Sequence, residues 1–254
     1  MIKYGLLGKN IEYSLSPKLH KIILEKINIL GKYILLDSSE SDDENLFIEN
    51  VVERLKNGDL SGINITIPYK EAIIKYVDRI DEISKKIGAI NTIKVEKASL
   101  VGYNTDYYGI IETLTKMKLY LKNKKCYIFG TGGSSKAVYY AIKELGGIPC
   151  YVSRGKIGKE IISYDEVKKL DSQNELAINC TPSNLDVEIL GKFKNVFELK
   201  YIKKVEKDSL VNINIVDGLY MLVVQGIKAQ ELWQNRDIGL YEEIFYQLNE
   251  EIKK

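Results

Sequence analysis

The sequence predicts an α/β fold of parallel sheets covered by helices. Short strand-like apolar runs alternate with helix-period stretches along the chain, and the links between them are short. The order restarts in the second half with a strand, a glycine-rich turn and a helix, so a second α/β unit follows the first.

In the first half, strands are expected over 2–7, 32–36 and 62–66, and helices over 17–29 and 44–55. Further helices fall near 70–76 and 81–87, the second ending at Gly88, a residue suited to a helix C-cap. Segments 89–95 and 99–103 read as a hairpin turning at 96–98. In the second half, a helix over 108–117 leads through a Lys-rich segment, 116–125, to a strand at 126–129. A helix at 134–145 comes next, then strands at 149–153, 176–179, 196–199 and 214–216. Amphipathic helices at 221–233 and 240–251 close the chain.

Composition narrows the function. The 254 residues are 45% hydrophobic and 28% charged, enough for a sizeable core, and the formal charge is +2. That balance leaves no electrostatic footprint for nucleic acid or a membrane surface, and no apolar run is long enough to span a bilayer. The first residues, MIKYGLLGKN, lack the pattern of a secretory signal, so a cytoplasmic protein is expected, as a monomer or homodimer. Cys126, Cys150 and Cys180 are far apart and odd in number, which argues against a disulfide framework and reads as small buried hydrophobes. His20 is the single histidine, and no cluster has metal-ligand spacing, so no metal is expected.

The glycine turn points to a dinucleotide. Gly130-Thr131-Gly132-Gly133-Ser134-Ser135 joins the strand at 126–129 to a helix, the arrangement in which backbone N–H groups and a helix dipole receive a pyrophosphate. Gly130 permits the tight turn, Gly132 the close approach, and Ser135 is small enough for the helix to approach the strand. The next strand lies about twenty residues on, where an NAD site carries an acidic residue. Here that strand ends in Ser153-Arg154-Gly155-Lys156, with Lys159 close behind. No carboxylate is present, and the cations suit a 2′-phosphate, so NADP(H) is the expected cofactor, against a solvated basic loop.

Polar clusters follow the strands of the first half. Ser16 suits an N-cap with Pro17 at the first helical position, while Ser14 is not needed for the cap; capping and a carboxylate or polyol ligand stand as equal readings. In the run 62–70, Asn64 and Thr66 face one way and Ile63, Ile65 and Ile67 the other. Lys70 would open the next helix, where a cation is poorly matched to the dipole; a carboxylate partner or an anionic ligand would justify it. Gly88-Ala89-Ile90-Asn91-Thr92 and Gly102-Tyr103-Asn104-Thr105-Asp106 complete the set, with ordinary turn and cap chemistry as the plain alternative.

Together these segments resemble the shikimate dehydrogenase family, whose members reduce 3-dehydroshikimate to shikimate with NADPH in aromatic amino-acid biosynthesis. The motifs run in family order over nearly the whole chain. They are Ser14-Leu15-Ser16-Pro17 with His20, then Gly62, Asn64, Thr66, Pro68 and Lys70 at alternate positions, then Gly88-Ala89 with Asn91-Thr92. Gly102 with Asn104-Thr105-Asp106 and Gly109 follows, then the glycine turn, Asn179 with Thr181-Pro182, and Asp217-Gly218 with Met221-Leu222 and Gln225. One such match is cheap; the ordered set is highly specific.

The resemblance implies roles for these positions. Lys70 and Asp106 match the catalytic pair. Ser14, Ser16, Thr66, Asn91 and Gln225 match residues holding the substrate's carboxylate and hydroxyls, and Tyr201 matches a further substrate contact. Gly130, Gly132, Gly133 and Ser134 match the pyrophosphate loop, Arg154 the 2′-phosphate arginine with Ser153 beside it in the cofactor site, and Leu199 and Gly218 the nicotinamide lining. The implied fold is an α/β substrate domain, 1–106 with 225–254, and a Rossmann NADP-binding domain, 107–224, the C-terminal helices returning to the first.

Several positions depart from the family pattern. Ser153 and Gly155 stand where Asn and a hydroxyl residue are usual, Asn184-Leu185 replace Gly-Met, Glu198 stands for Asp, no proline follows Tyr201, Tyr220 replaces Gly, and Gly226 replaces Ala. These departures concern cofactor preference more than the reaction. Two alternatives follow: a quinate or dual quinate/shikimate dehydrogenase with relaxed NAD/NADP preference, and a non-catalytic NADP-binding regulator. The second calls for a broken Lys–Asp pair or glycine loop, and both are intact.

Overall fold

The computed structural model describes residues 1–155, 158, 160–171, 174–201 and 213–253. Lys156 and Lys159 of the basic loop lie outside the described residues. The chain divides into two compact units, Met1–Tyr108 with Leu222–Lys254, and Gly109–Met221. The sequence places these breaks at 106/107 and 224/225.

The first unit opens with β1 (Ile2–Gly8), α1 (Ser16–Lys26), β2 (Gly31–Asp37), α2 (Glu44–Lys56) and β3 (Gly62–Ile65). A 3-10 helix (Ala72–Tyr76), β4 (Arg79–Ile80), α3 (Glu82–Ile87), β5 (Thr92–Glu96) and β6 (Ser99–Tyr103) follow. α4 (Thr105–Lys116) then carries the chain into the second unit. The sheet order is β2-β1-β3-β5-β6-β4. It is mixed rather than parallel, because the tight turn at Lys97 and Ala98, both with positive φ, reverses β5 against β6.

Local chemistry explains several boundaries. Gly88 caps α3 in the left-handed conformation (φ 70°), and Asp81 caps its start by accepting from the Ile83 N–H. α1 stops at Lys26, three residues before its expected end, where Asn28 takes φ 56°. Ser16 is not the N-cap of α1; Leu15 is, and the Ser14 hydroxyl accepts the Ser16 N–H at 3.2 Å. Lys70 precedes the 3-10 helix rather than opening an α-helix, so the dipole mismatch expected of it does not arise. Ile67 is 65% exposed, because the chain leaves the sheet after Ile65 and turns through a cis Ile67–Pro68 bond.

The second unit contains β7 (Lys125–Phe129), α5 (Gly133–Glu144), β8 (Ile148–Val152), β9 (Ile161–Ile162), α6 (Tyr164–Lys168) and β10 (Asn174–Asn179). α7 (Val187–Leu190), β11 (Phe193–Glu198) and β12 (Asn214–Val216) complete it. The sheet order is β12-β11-β10-β7-β8-β9, every pairing between these strands being parallel. This is the doubly wound order, whose switch point lies between β7 and β10. β9, α6 and α7 are absent from the sequence expectations because they span only 2, 5 and 4 residues, too short for a period to register. Cys126 is buried, and burial pushes its thiol up to about 12; Cys150 and Cys180 are only partly buried, so the buried-hydrophobe reading overstates them.

α8 (Leu219–Gln234) and α9 (Tyr241–Lys253) end the chain. From Leu222 onward they belong to the first unit. Trp233 stacks on Tyr4 with ring centroids 4.4 Å apart and donates Nε1–H to the Ile93 carbonyl at 3.0 Å. Gln230 bonds His20 Nδ1 at 3.0 Å, and His20 lies flat on Tyr33 at 4.0 Å. The single histidine is therefore a core residue. Among the described residues no helix is long and apolar enough to cross a membrane, and no cluster could hold a metal ion.

Candidate active site

Sheet register gathers the polar clusters of the first unit. Asn64 on β3 opposes Thr92 on β5, which opposes Tyr103 on β6. Because β5 runs antiparallel to both neighbours, its start lies at the same edge as the ends of β3 and β6. Thr66, Asn91 and Asp106 flank these positions in sequence and so emerge at one edge. Gly8 ends β1 beside Asp37 of β2, and the 9–15 segment leaves from there. Asp37 holds that segment by accepting N–H bonds from Asn10 at 3.0 Å and Ile11 at 2.7 Å. Burial raises the Asp37 pKa, but the N–H donors of Ile11, Ser39 and Asn10 outweigh it and leave the carboxyl below its usual range.

Lys70 Nζ lies 2.5 Å from Asp106 Oδ2, with side chains only 13% and 7% exposed. A carboxylate is one of the two partners that the sequence offers for the lysine, and Asp106 fills that role. Asp106 Oδ1 accepts from Asn91 Nδ2 at 2.9 Å, and Asn91 Nδ2 also approaches Gln225 Oε1 at 3.4 Å. Asn91 is itself pinned, since its Oδ1 accepts the Thr105 N–H at 2.7 Å and the hydroxyls of Thr92 and Thr105, each at 3.1 Å. Lys70, Asp106, Asn91 and Gln225 thus form one connected group. Gln225 reaches it from α8, with Nε2 donating to the Leu222 carbonyl at 2.8 Å.

Ser14, Ser16 and Thr66 sit around this edge, Ser16 buried and the other two half-buried. Tyr33 has no place in the sequence expectations, and Asn64 is named there without a role. Tyr33 donates to Asn64 Oδ1 at 2.8 Å, and Asn64 Nδ2 donates to Thr92 Oγ1 at 2.9 Å, bracing the strand end behind Asn91. The alternation that puts Asn64 with Thr66 was a usable signal; nothing local marked Tyr33. A cavity of about 680 Å³ also lies in this unit, but it is lined by Arg79, Lys94, Glu96, Lys97 and Asn235 at the opposite end of the β5–β6 hairpin from Asp106.

In the second unit a cavity of about 340 Å³ opens at the C-terminal ends of β7, β8 and β10, lined by Gly130, Thr131, Val152, Ser153, Arg154, Gly155, Tyr164 and Thr181. Gly130 has φ 108°, a conformation costly for any other residue, and its N–H bonds the Val152 carbonyl at 3.1 Å. Gly132 is the N-cap of α5 and supplies no capping side chain, and a Cβ there would meet nothing within 4 Å. Gly133 and Ser134 form the first turn of α5. Open space over uncapped helix N–H groups, with the exposed Arg154 guanidinium on the rim, suits the pyrophosphate and 2′-phosphate of NADP(H).

Asn179 organises the wall of this cleft. Its Oδ1 accepts the Thr181 N–H at 3.0 Å and hydroxyl at 2.7 Å, and its Nδ2 donates to Glu198 Oε2 at 2.7 Å. Burial raises the Glu198 pKa, and the Asn179 bond partly offsets it. Gly218 lies against the backbone that follows β11: a Cβ there would sit 1.9 Å from the Leu199 carbonyl oxygen. Leu199, Tyr201 and Gly218 all belong to this second unit.

A family profile, that of the shikimate dehydrogenase substrate binding domain, matches residues 6–93. The NADP(+) shikimate dehydrogenase of Clostridium botulinum strain Hall is 38% identical over 255 residues, covering 92% of this chain and 96% of the relative. The crystal structure of shikimate dehydrogenase 1 from Peptoclostridium difficile superposes with a TM-score of 0.89 at 32% identity, covering 99% of each chain. A shikimate dehydrogenase solved in complex with NADP+ gives a TM-score of 0.84 at 28% identity, covering 100% of this chain and 96% of that one.

Proposed function

The chain belongs to the shikimate dehydrogenase family, and from that premise we propose that it reduces 3-dehydroshikimate to shikimate reversibly with NADPH, Lys70 and Asp106 handling the proton. The observation that carries the assignment of roles is the nearly buried Lys70–Asp106 pair, tied through Asn91 to Gln225.

The nicotinamide, when bound, supplies or accepts the hydride. The chain's own residues do the rest. Lys70, as an ammonium, donates a hydrogen bond to the ketone oxygen, stabilises the charge that develops there and delivers a proton to it. Asp106 holds that ammonium with Oδ2 while Oδ1 is fixed by Asn91, so the carboxylate is oriented through both oxygens. Ser14 and Ser16 pair with the substrate carboxylate, and Thr66, Asn91 and Gln225 with its hydroxyls, Tyr201 adding a further contact. Such a site rejects analogues that leave buried partners unpaired.

The glycine turn, with Gly130, Gly132, Gly133 and Ser134, takes the pyrophosphate; Ser153 and Arg154 take the 2′-phosphorylated ribose; Leu199 and Gly218 line the nicotinamide. The enzyme works in the cytoplasm, as a monomer or homodimer.

The test is a set of initial rates with shikimate or quinate crossed against NADP+ or NAD+. A shikimate/NADP+ rate well above the other three supports this reading. Comparable rates with quinate or NAD+ would place the chain in the dual-specificity branch, and tight NADPH binding with no turnover would mark a regulator.

A further inference from the structure

The cleft holds more than the glycine turn and Arg154. Tyr164, the first residue of α6, lines it, and its ring packs edge-on against Phe129 with centroids 5.5 Å apart. The helix start that carries the ring is locked by a capping box: the Ser163 hydroxyl accepts the Glu166 N–H, and the Glu166 carboxylate accepts the Ser163 N–H. The ring is therefore held before any ligand arrives. Its hydroxyl has no hydrogen-bond partner among the described residues, and the Arg154 guanidinium forms no ion pair there.

A phosphate dianion has three terminal oxygens, and one guanidinium fork engages two of them. Gly155 offers no side chain. Thr181's hydroxyl is already given to Asn179 Oδ1 and the Ser183 carbonyl. The Tyr164 phenol is an unspent donor in the same cleft, and unlike the Thr131 hydroxyl on the glycine turn it is carried by a ring packed in place on Phe129. Burial raises its pKa and the charge on Arg154 lowers it less, so it stays a neutral O–H donor at pH 7.

Resting on the reading that this cleft takes NADP(H), we propose that Tyr164 is a second specificity-determining residue: its hydroxyl donates to the 2′-phosphate that Arg154 pairs with. The sequence offered no pointer to it, because the residue sits on a helix too short to be read.

The experiment is equilibrium titration of wild type and Tyr164→Phe with NADPH and NADH by fluorescence, and competition by 2′,5′-ADP and 5′-AMP. The Phe variant keeps the ring and its packing on Phe129. Expected is about tenfold weaker binding of NADPH and 2′,5′-ADP, with NADH and 5′-AMP unchanged. Equal losses for all four ligands would show that the tyrosine only packs the adenosine, and no loss for any would remove it from the site; either overturns the assignment. A wild type that binds NADH as tightly as NADPH would overturn the cofactor reading itself, a failure visible before the variant is compared.

Discussion

Asn91 Nδ2 donates at 2.9 Å to the Asp106 oxygen that Lys70 leaves free. The carboxylate is therefore held at both ends, one by a charge and one by an amide that is fixed by Thr92 and Thr105. An aspartate so placed has little rotational freedom, and the lysine it pairs is aimed by the same constraint.

Lys70→Ala is expected to lower kcat by about 10² to 10⁴ with a smaller change in KM, the range for loss of a general acid. Asp106→Asn should also lower kcat, because the ammonium loses its counter-charge. Steady-state kinetics decide it: a variant that kept kcat and only raised KM would make Lys70 a binding residue.

Asn91→Ala leaves the Thr105 N–H and one Asp106 oxygen without their amide partner, while the Thr92 and Thr105 hydroxyls keep each other at 3.2 Å. Each unsatisfied buried group costs about 1–3 kcal/mol. Thermal or urea unfolding should show a loss of at least that size, together with a raised KM for shikimate. An unchanged midpoint would mean that water replaces the amide.

Gly218→Ala should fail on steric grounds, since a methyl 1.9 Å from the Leu199 carbonyl oxygen cannot be accommodated without moving backbone. The expected outcome is a lower unfolding temperature and weakened NADPH binding. Wild-type values for both would show that this backbone shifts freely.

Acid should destabilise the protein through His20. Burial, the dominant cause, depresses its pKa to about 3, below the 6.5 of an exposed imidazole. The unfolded chain then binds a proton that the native state refuses, so this contribution is complete above pH 6.5 and is lost as pH falls from there towards 3. The slope approaches about 1.4 kcal/mol per pH unit. Denaturant unfolding between pH 7 and pH 5 should show it in the wild type and lack it in His20→Gln; equal slopes would refute the buried neutral imidazole.

Much of this site could be read locally. The turn from β7 into α5, the C-cap at Gly88 and the hairpin between β5 and β6 all depend on backbone preferences within a few residues, and glycine, proline and apolar period report those directly. The cap at α1 was misplaced by one residue because serine hydroxyls at 14 and 16 carry the same local signal, and only the fold shows that Ser14 accepts the Ser16 N–H. The antiparallel pairing of β5 with β3 was likewise hidden, since pairing between strands this far apart is not a property of any single strand.

The residue types and their order were enough to point to an α/β chain with a dinucleotide turn and a family of reductases. Periodicity and motif spacing are written along the chain and survive without coordinates. What needed the tertiary structure was which groups meet. Gln225 reaches Asn91 across 134 residues only because α8 packs back on the first sheet, and Lys70 finds Asp106 because antiparallel β5 brings the neighbouring strand ends to one edge. Contacts at that separation are decided by burial of the whole sheet and helix surface, a sum over many side chains that no local window contains.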